Sequence, residues 1–211
     1  MARAGAAQAV TAGDTREEIL RAALRAFAQR GFDGASTREI AADAGVNHGL
    51  IRHYFGPKQK LWQAAADLAF ADMQAALDGL LSDPAITDAR ERAARVIRAH
   101  VHYVARHPEF VRLMFEEGKR RGPRMRWLVD RHVKPLYEAI GALLQQGGAS
   151  FDMSPLHFFY TLAGAAGAIF HQAEECRRVS GVDPFEPAVV EEHARAVARL
   201  FLGRDENRSE R

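Results

Sequence analysis

Apolar residues recur at three- and four-residue spacings along most of the chain, and no segment alternates with the period of two that a strand needs. Between Thr15 and Gly31, the residues Ile19, Leu20, Ala23, Leu24, Phe27 and Ala28 form one stripe, which predicts a helix closed at Gly31. From Ser36 to Phe55 the pattern predicts two short helices. Ser36 caps the first, with Glu39 at capping-box spacing, and Gly45 fits the left-handed position that ends it. Asn47 caps the second, and Pro57 separates it from a long helix that runs from Lys58 to about Ser82 and is closed by Asp83-Pro84. Further helices are predicted at about 88–106 and, more briefly, around Phe110 to Phe115. Three more follow: about 124–146, ended by Gly147-Gly148; Ser154-Pro155 through about Val179; and a last one starting at Pro184 or Pro187. The fold class is all-α, about nine helices, with residues 14–62 as an N-terminal three-helix domain and 63–203 as a C-terminal helical domain. The Ala- and Gly-rich residues 1–13 and the charged residues 204–211 are expected to be disordered.

Placing His48 to Phe55 at about 100° per residue sorts them into two arcs. His48, Gly49, Arg52 and His53 share one; Leu50, Ile51, Tyr54 and Phe55 share the other. The second arc anchors the helix, and the first offers a cation, two imidazoles and a glycine that permits close backbone approach. This is a helix-turn-helix whose second helix suits a DNA major groove. A net charge of +2 over 211 residues excludes a general polyanion binder. From Arg16 to Lys60, however, eight Arg or Lys stand against five Asp or Glu, a local basic bias that suits sequence-specific binding. Cys176 is the sole cysteine, so no intrachain disulfide forms, and with no apolar leader or membrane-length run a cytoplasmic setting is expected. No nucleophile elbow, P-loop or dinucleotide fingerprint occurs, so neither an enzyme nor a cofactor is expected.

Fixed spacings sharpen this picture: S-T-x-x-I-A from Ser36, A-G-V-N from Ala44, and H-Y-F-x-x-K-x-x-L from His53. With the first helix and its Phe27 and Gly31, the segment from about Thr15 to Trp62 resembles the DNA-binding domain of the tetracycline-repressor (TetR) family of bacterial transcriptional regulators. The resemblance covers about a quarter of the chain, and Arg52 stands where the family often carries Tyr. It implies that Thr37, Tyr54 and Lys58 contact phosphates. The outward arc itself points to Arg38, His48, Gly49, Arg52 and His53 as DNA-facing, with Arg52 suited to bidentate reading of guanine. His48 or Asn47 is expected at a base edge or a phosphate.

In the C-terminal domain, His100 and His132 fall on apolar stripes. Either each is a core or interface histidine satisfied by one hydrogen bond, or with Phe110, Met114, Met125, Leu128 and Phe159 they line an effector cavity. The patch Ala163–Ala168, with Gly164 and Gly167, and the last helix, with Val190, His193 and Val197, are expected to form a dimer surface. His171, Glu175 and Cys176 lie close on one helix, but without a paired ligand motif they are not read as a metal site. The expected function is that of a homodimeric transcriptional regulator, a repressor released from double-stranded operator DNA by a small hydrophobic or aromatic effector, with no membrane partner. The alternative is a constitutive helix-turn-helix protein with no inducer.

Overall fold

Helix follows helix through residues 12–146 and 153–203, the residues that the computed structural model describes, and no strand occurs among them. The expected disorder of residues 1–11 and 204–211 and the Gly147-Gly148 stop lie outside the described residues; Ala12 and Gly13 already belong to α1. The chain divides into two compact units between Ala69 and Phe70.

In the first unit, α1 (Ala12–Gly34) bends where Gly31 takes a φ of 68°. Ser36 caps α2 (Thr37–Asp43) by accepting from the Arg38 amide, while Glu39 turns to Arg30 at 3.6 Å. Gly45, at φ 66°, then ends the helix. Its amide donates to Ala42 O and that of Val46 to Ala41 O, the paired bonds of a Schellman turn. Asn47 opens α3 (His48–Phe55) by accepting from the Gly49 amide at 2.8 Å. Ile19, Ile40, Ile51, Leu61 and Trp62 close the small core, and Phe32 stacks on Phe27 at 5.9 Å. Leu61 and Trp62 come from α4 (Lys58–Leu81), whose residue range runs on into the second unit.

The second unit continues with α5 (Ala89–Arg106), α6 (Pro108–Gly118), α7 (Pro123–Leu128), a π turn (Val129–Val133) and α8 (Lys134–Gln146). It ends with α9 (Pro155–His171), α10 (Ala173–Ser180) and α11 (Pro187–Leu202). The segment predicted as one regular helix from about 124 is continuous but widened. Pro135 has no N–H for the carbonyl one turn back, and the ladder opens into a π turn just before it. The helix predicted through Val179 is instead broken at Gln172, with Phe170 and Ala173 buried on either side. Counting each of these interrupted stretches once, the described chain has the expected nine helices.

Arg92 pins the turn between α4 and α5. Its guanidinium donates to Leu81 O at 2.7 Å, Asp83 O at 3.2 Å and Ile86 O. Along the other side of α5, Arg98 and His102 both reach Glu191 of α11, at 2.6 and 2.9 Å. Helix α11 lies against α5 and α9, and Val190 and Val197 are buried in that packing; His193 donates to Ala165 O at 2.9 Å. At Gly167 an added Cβ would stand 3.0 Å from Val111 Cγ1. The close crossing is therefore made with α6 of the same chain. Of the residues expected at a dimer surface, Gly167, Val190 and Val197 pack within the unit, and His193 is half-buried. Gly164 is open, with nothing within 4 Å of an added Cβ.

Two outcomes follow from this packing. Gly167→Leu should lower stability by about 1–3 kcal/mol through overpacking, and Val111→Ala should recover part of that loss in the double mutant. Denaturant unfolding of the four proteins measures the coupling. The second concerns His100, half-buried on α5, whose pKa burial lowers from 6.5 to about 4. A depressed imidazole pKa means that the unfolded chain binds the proton first. Its contribution to stability is present above pH 6.5 and is lost as the pH falls towards 4. His100→Gln should flatten the stability profile in that window, and equal slopes for mutant and wild type would remove His100 from the effect.

Candidate functional site

The two arcs of α3 separate in space as their spacing requires. Ile51 and Phe55 are buried and Leu50 is half-buried, while His48, Gly49, Arg52 and His53 are exposed, with Arg38 and Asn47 beside them. Two polar positions are tied down. Thr37 Oγ1 lies 3.0 Å from His48 Nε2, which links α2 to the first turn of α3, and Asn47 Oδ1 is occupied as the helix cap. Gly49 has a local reason to be glycine, since an added Cβ would stand 3.1 Å from that same Oδ1. Tyr54 is half-buried between the His53 and Phe55 rings, at 5.4 and 6.1 Å. Lys58 is half-buried as well: its Nζ sits 4.7 Å from the Phe32 ring centre and 3.4 Å from Asp33 O. Arg16 adds a contact that no local pattern signals; its guanidinium lies 5.3 Å over the Phe55 ring at the end of α3.

In the second unit, two of the expected effector residues meet on one ring of α4. His132 lies parallel to Phe70 at 4.3 Å, and Phe110 meets Phe70 edge-on at 5.1 Å. Trp127 adds an edge to His132 at 5.5 Å, and Tyr103 continues the cluster from Phe110 to His107. Phe159 does not join them. It packs on Tyr137 of α8 at 5.6 Å, in a different cluster. Leu128 is fully buried, and His100, Met114 and Met125 are half-buried. Phe70 lies one turn before Met73 on the α4 stripe, but an apolar stripe does not mark which of its rings will be stacked. Glu117 carries no sequence signal either. It is 2% exposed and its carboxylate lies 3.5 Å from Arg124 Nε, an ion pair placed inside the unit.

A cavity of about 450 Å³ lies at the surface between α4 and α5, lined by Ala76 and Leu80 on one side and Arg95, Arg98, Ala99, His102, Tyr103 and Arg106 on the other. Among the described residues, no three His, Cys, Asp or Glu side chains are grouped to hold a metal ion. No helix among them is long and apolar enough to cross a membrane.

Comparison with known proteins gives the same layout. Residues 19–65 match the family "Bacterial regulatory proteins, tetR family", and residues 90–200 match "Tetracyclin repressor-like, C-terminal domain". The transcriptional repressor NicS of Pseudomonas putida is 33% identical over 141 residues, covering 64% of this chain and 63% of that protein. The repressor AcnR of Corynebacterium glutamicum is 43% identical over 61 residues, 27% of this chain and 32% of that one. The chain thus spans less than two thirds of either relative. Among solved structures, the fatty acid degradation regulator FadR of Bacillus halodurans superposes with a TM-score of 0.67 at 21% identity, over 89% of this chain and 97% of that one. AibR, solved in complex with isovaleryl coenzyme A and operator DNA, gives a TM-score of 0.70 at 18% identity, over 89% and 98%. Likeness at such identities speaks to the fold, and the family matches at both ends of the chain settle its kinship: this chain belongs to the TetR family of bacterial regulatory proteins.

Proposed function

We propose that this chain is a homodimeric, sequence-specific DNA-binding repressor that leaves its operator when a small, largely hydrophobic ligand binds its C-terminal unit. The observation that carries the reading is the exposed arc of α3, with Arg52 and His53 outward and Ile51 and Phe55 buried behind them. An anchored helix with a polar outer face is what a major groove accepts. Relatives named as repressors support the direction of control. Thr37, Tyr54 and Lys58 are assigned to phosphates, and Arg38, Asn47, His48, Gly49, Arg52 and His53 to the groove.

Pairing of two chains extends the few base pairs that one helix reads. An exposed apolar face that includes Gly164 of the small-residue patch supports pairing. Leu156 and Tyr160 on α9 are 50% and 64% exposed, Gly164 continues their stripe one turn on, and Leu200 on α11 is 64% exposed. Apolar area of this kind on neighbouring helices suits a two-fold helical interface. AibR forms a complex with both an acyl thioester and operator DNA, which supports a ligand-responsive reading here. The close ring packing around Phe70 favours the second reading, a constitutive binder, and operator titration with and without ligand separates the two.

Lys58→Ala should weaken binding about equally on all DNA sequences and reduce the log–log salt slope by about one. A thermal melt controls for its contact with Phe32. Arg52→Ala should relax base preference at one position per half-site, by about 1–3 kcal/mol. Anisotropy titrations on operator variants decide between a base contact and a backbone contact. For the dimer, Tyr160→Glu combined with Leu200→Glu should yield monomers in analytical ultracentrifugation, and a double mutant that still sediments as a dimer would place the interface elsewhere.

A further inference from the structure

The groove between α4 and α5 joins two chemistries that neither the operator-facing arc nor the exposed apolar face uses. Its floor is apolar, made by Ala76 and Leu80 of α4 with Ala99 and the Tyr103 ring of α5. Its rim carries three guanidiniums, Arg95, Arg98 and Arg106, with the His102 imidazole among them on one face of α5. Two carboxylates temper that rim. Glu91 pairs with Arg95, and Glu191 takes Arg98, His102 and Arg195. Arg106 has no carboxylate partner among the described residues, and Arg98 Nε–H is buried with no acceptor. Donors without acceptors stand beside an apolar floor, in a volume of about 450 Å³, within the range of small-molecule sites.

We infer that this groove binds an anionic amphiphile, a medium-length acyl or aromatic body carrying a carboxylate or phosphate head. The head meets Arg106, whose guanidinium fork fits two oxygens at once, beside the charge of Arg98. The body lies along Ala76, Leu80, Ala99 and Tyr103. A cationic ligand meets repulsion at the rim, and an uncharged one leaves the Arg98 and Arg106 donors unanswered. One wall of the groove is α4 itself, and Tyr103 continues through Phe110 to Phe70 on that helix. A ligand that prefers one spacing of α4 and α5 therefore biases the helix whose range reaches back to Lys58. That this ligand is the effector rests on the operator-binding reading; that the groove binds it does not.

The experiment is calorimetric titration of the full chain with decanoate, decyl phosphate, decylammonium and decanol, each below its micellar concentration. The expected result is binding of decanoate or decyl phosphate at least about tenfold tighter than of decylammonium and decanol. The stronger of the two anions identifies the head. Arg106→Gln, a change at an exposed side chain, should weaken that binding about tenfold, and Ala76→Phe, which fills the floor, should abolish it. Circular dichroism confirms that both variants fold. Equal affinity for all four probes, no binding of either anion, or unchanged affinity in both variants overturns the inference. Operator affinity measured on the same samples keeps the two readings apart. Anion binding by a chain that binds no operator removes the repressor reading and leaves the groove. Operator binding without anion binding does the reverse.

Discussion

Phe70 is held between two rings in different orientations, His132 parallel at 4.3 Å and Phe110 edge-on at 5.1 Å. Ring pairs of this kind favour particular offsets and angles, so the clamp sets the height and rotation of α4 in the C-terminal unit. A shift of α4 by a full turn, about 5.4 Å, would break both contacts, whereas a small tilt preserves them. The π turn belongs to the same device. Without the widening before Pro135, His132 would sit at a regular helical angle rather than where Val129–Val133 carry it. Helix α4 supplies Leu61 and Trp62 to the first core and Phe70 and Met73 to the second, so the clamp acts on the helix that both cores share.

Charge is organised around a few carboxylates rather than spread evenly. Glu191 receives Arg98, His102 and Arg195, and the His102 hydrogen bond with the Arg98 charge beside it holds its carboxyl below the usual carboxylate range. Isolated surface pairs contribute little, but a carboxylate shared by two guanidiniums and an imidazole also fixes the spacing of α5 and α11. Arg92 does the same for the α4–α5 turn by collecting three carbonyls. The groove between α4 and α5 is tied at that turn, and its α5 wall is held to α11.

The glycines show how one residue type serves different needs. Gly45 takes a positive φ that lets α2 end and α3 begin with four residues between them. Gly49 leaves room for the Asn47 cap, and Gly167 leaves room for Val111. In both, the atom that an added Cβ would meet belongs to the same chain.

The sequence by itself determined the helices, their caps and the face of α3 that looks outward, because each of these depends on residues within a turn or two of one another. Ser36, Gly45 and Asn47 act through their nearest backbone groups, and a 3.6-residue period separates Arg52 from Ile51 whatever the rest of the chain does. The tertiary structure alone decided which stripes meet. A periodic row of Val190, Val197 and His193 marks a buried face but does not say whether the covering helix is its own α5 or another subunit's, since apolar area is covered equally well by either. The same holds for Phe110, His132 and Phe159. All three are apolar-stripe residues, but two meet Phe70 and the third meets Tyr137, and nothing local to any of them decides which. The groove is the clearest case. Ala76, Leu80, Arg98 and Arg106 come from two helices joined at a turn that Arg92 pins, and no local pattern in either helix contains the distance between them.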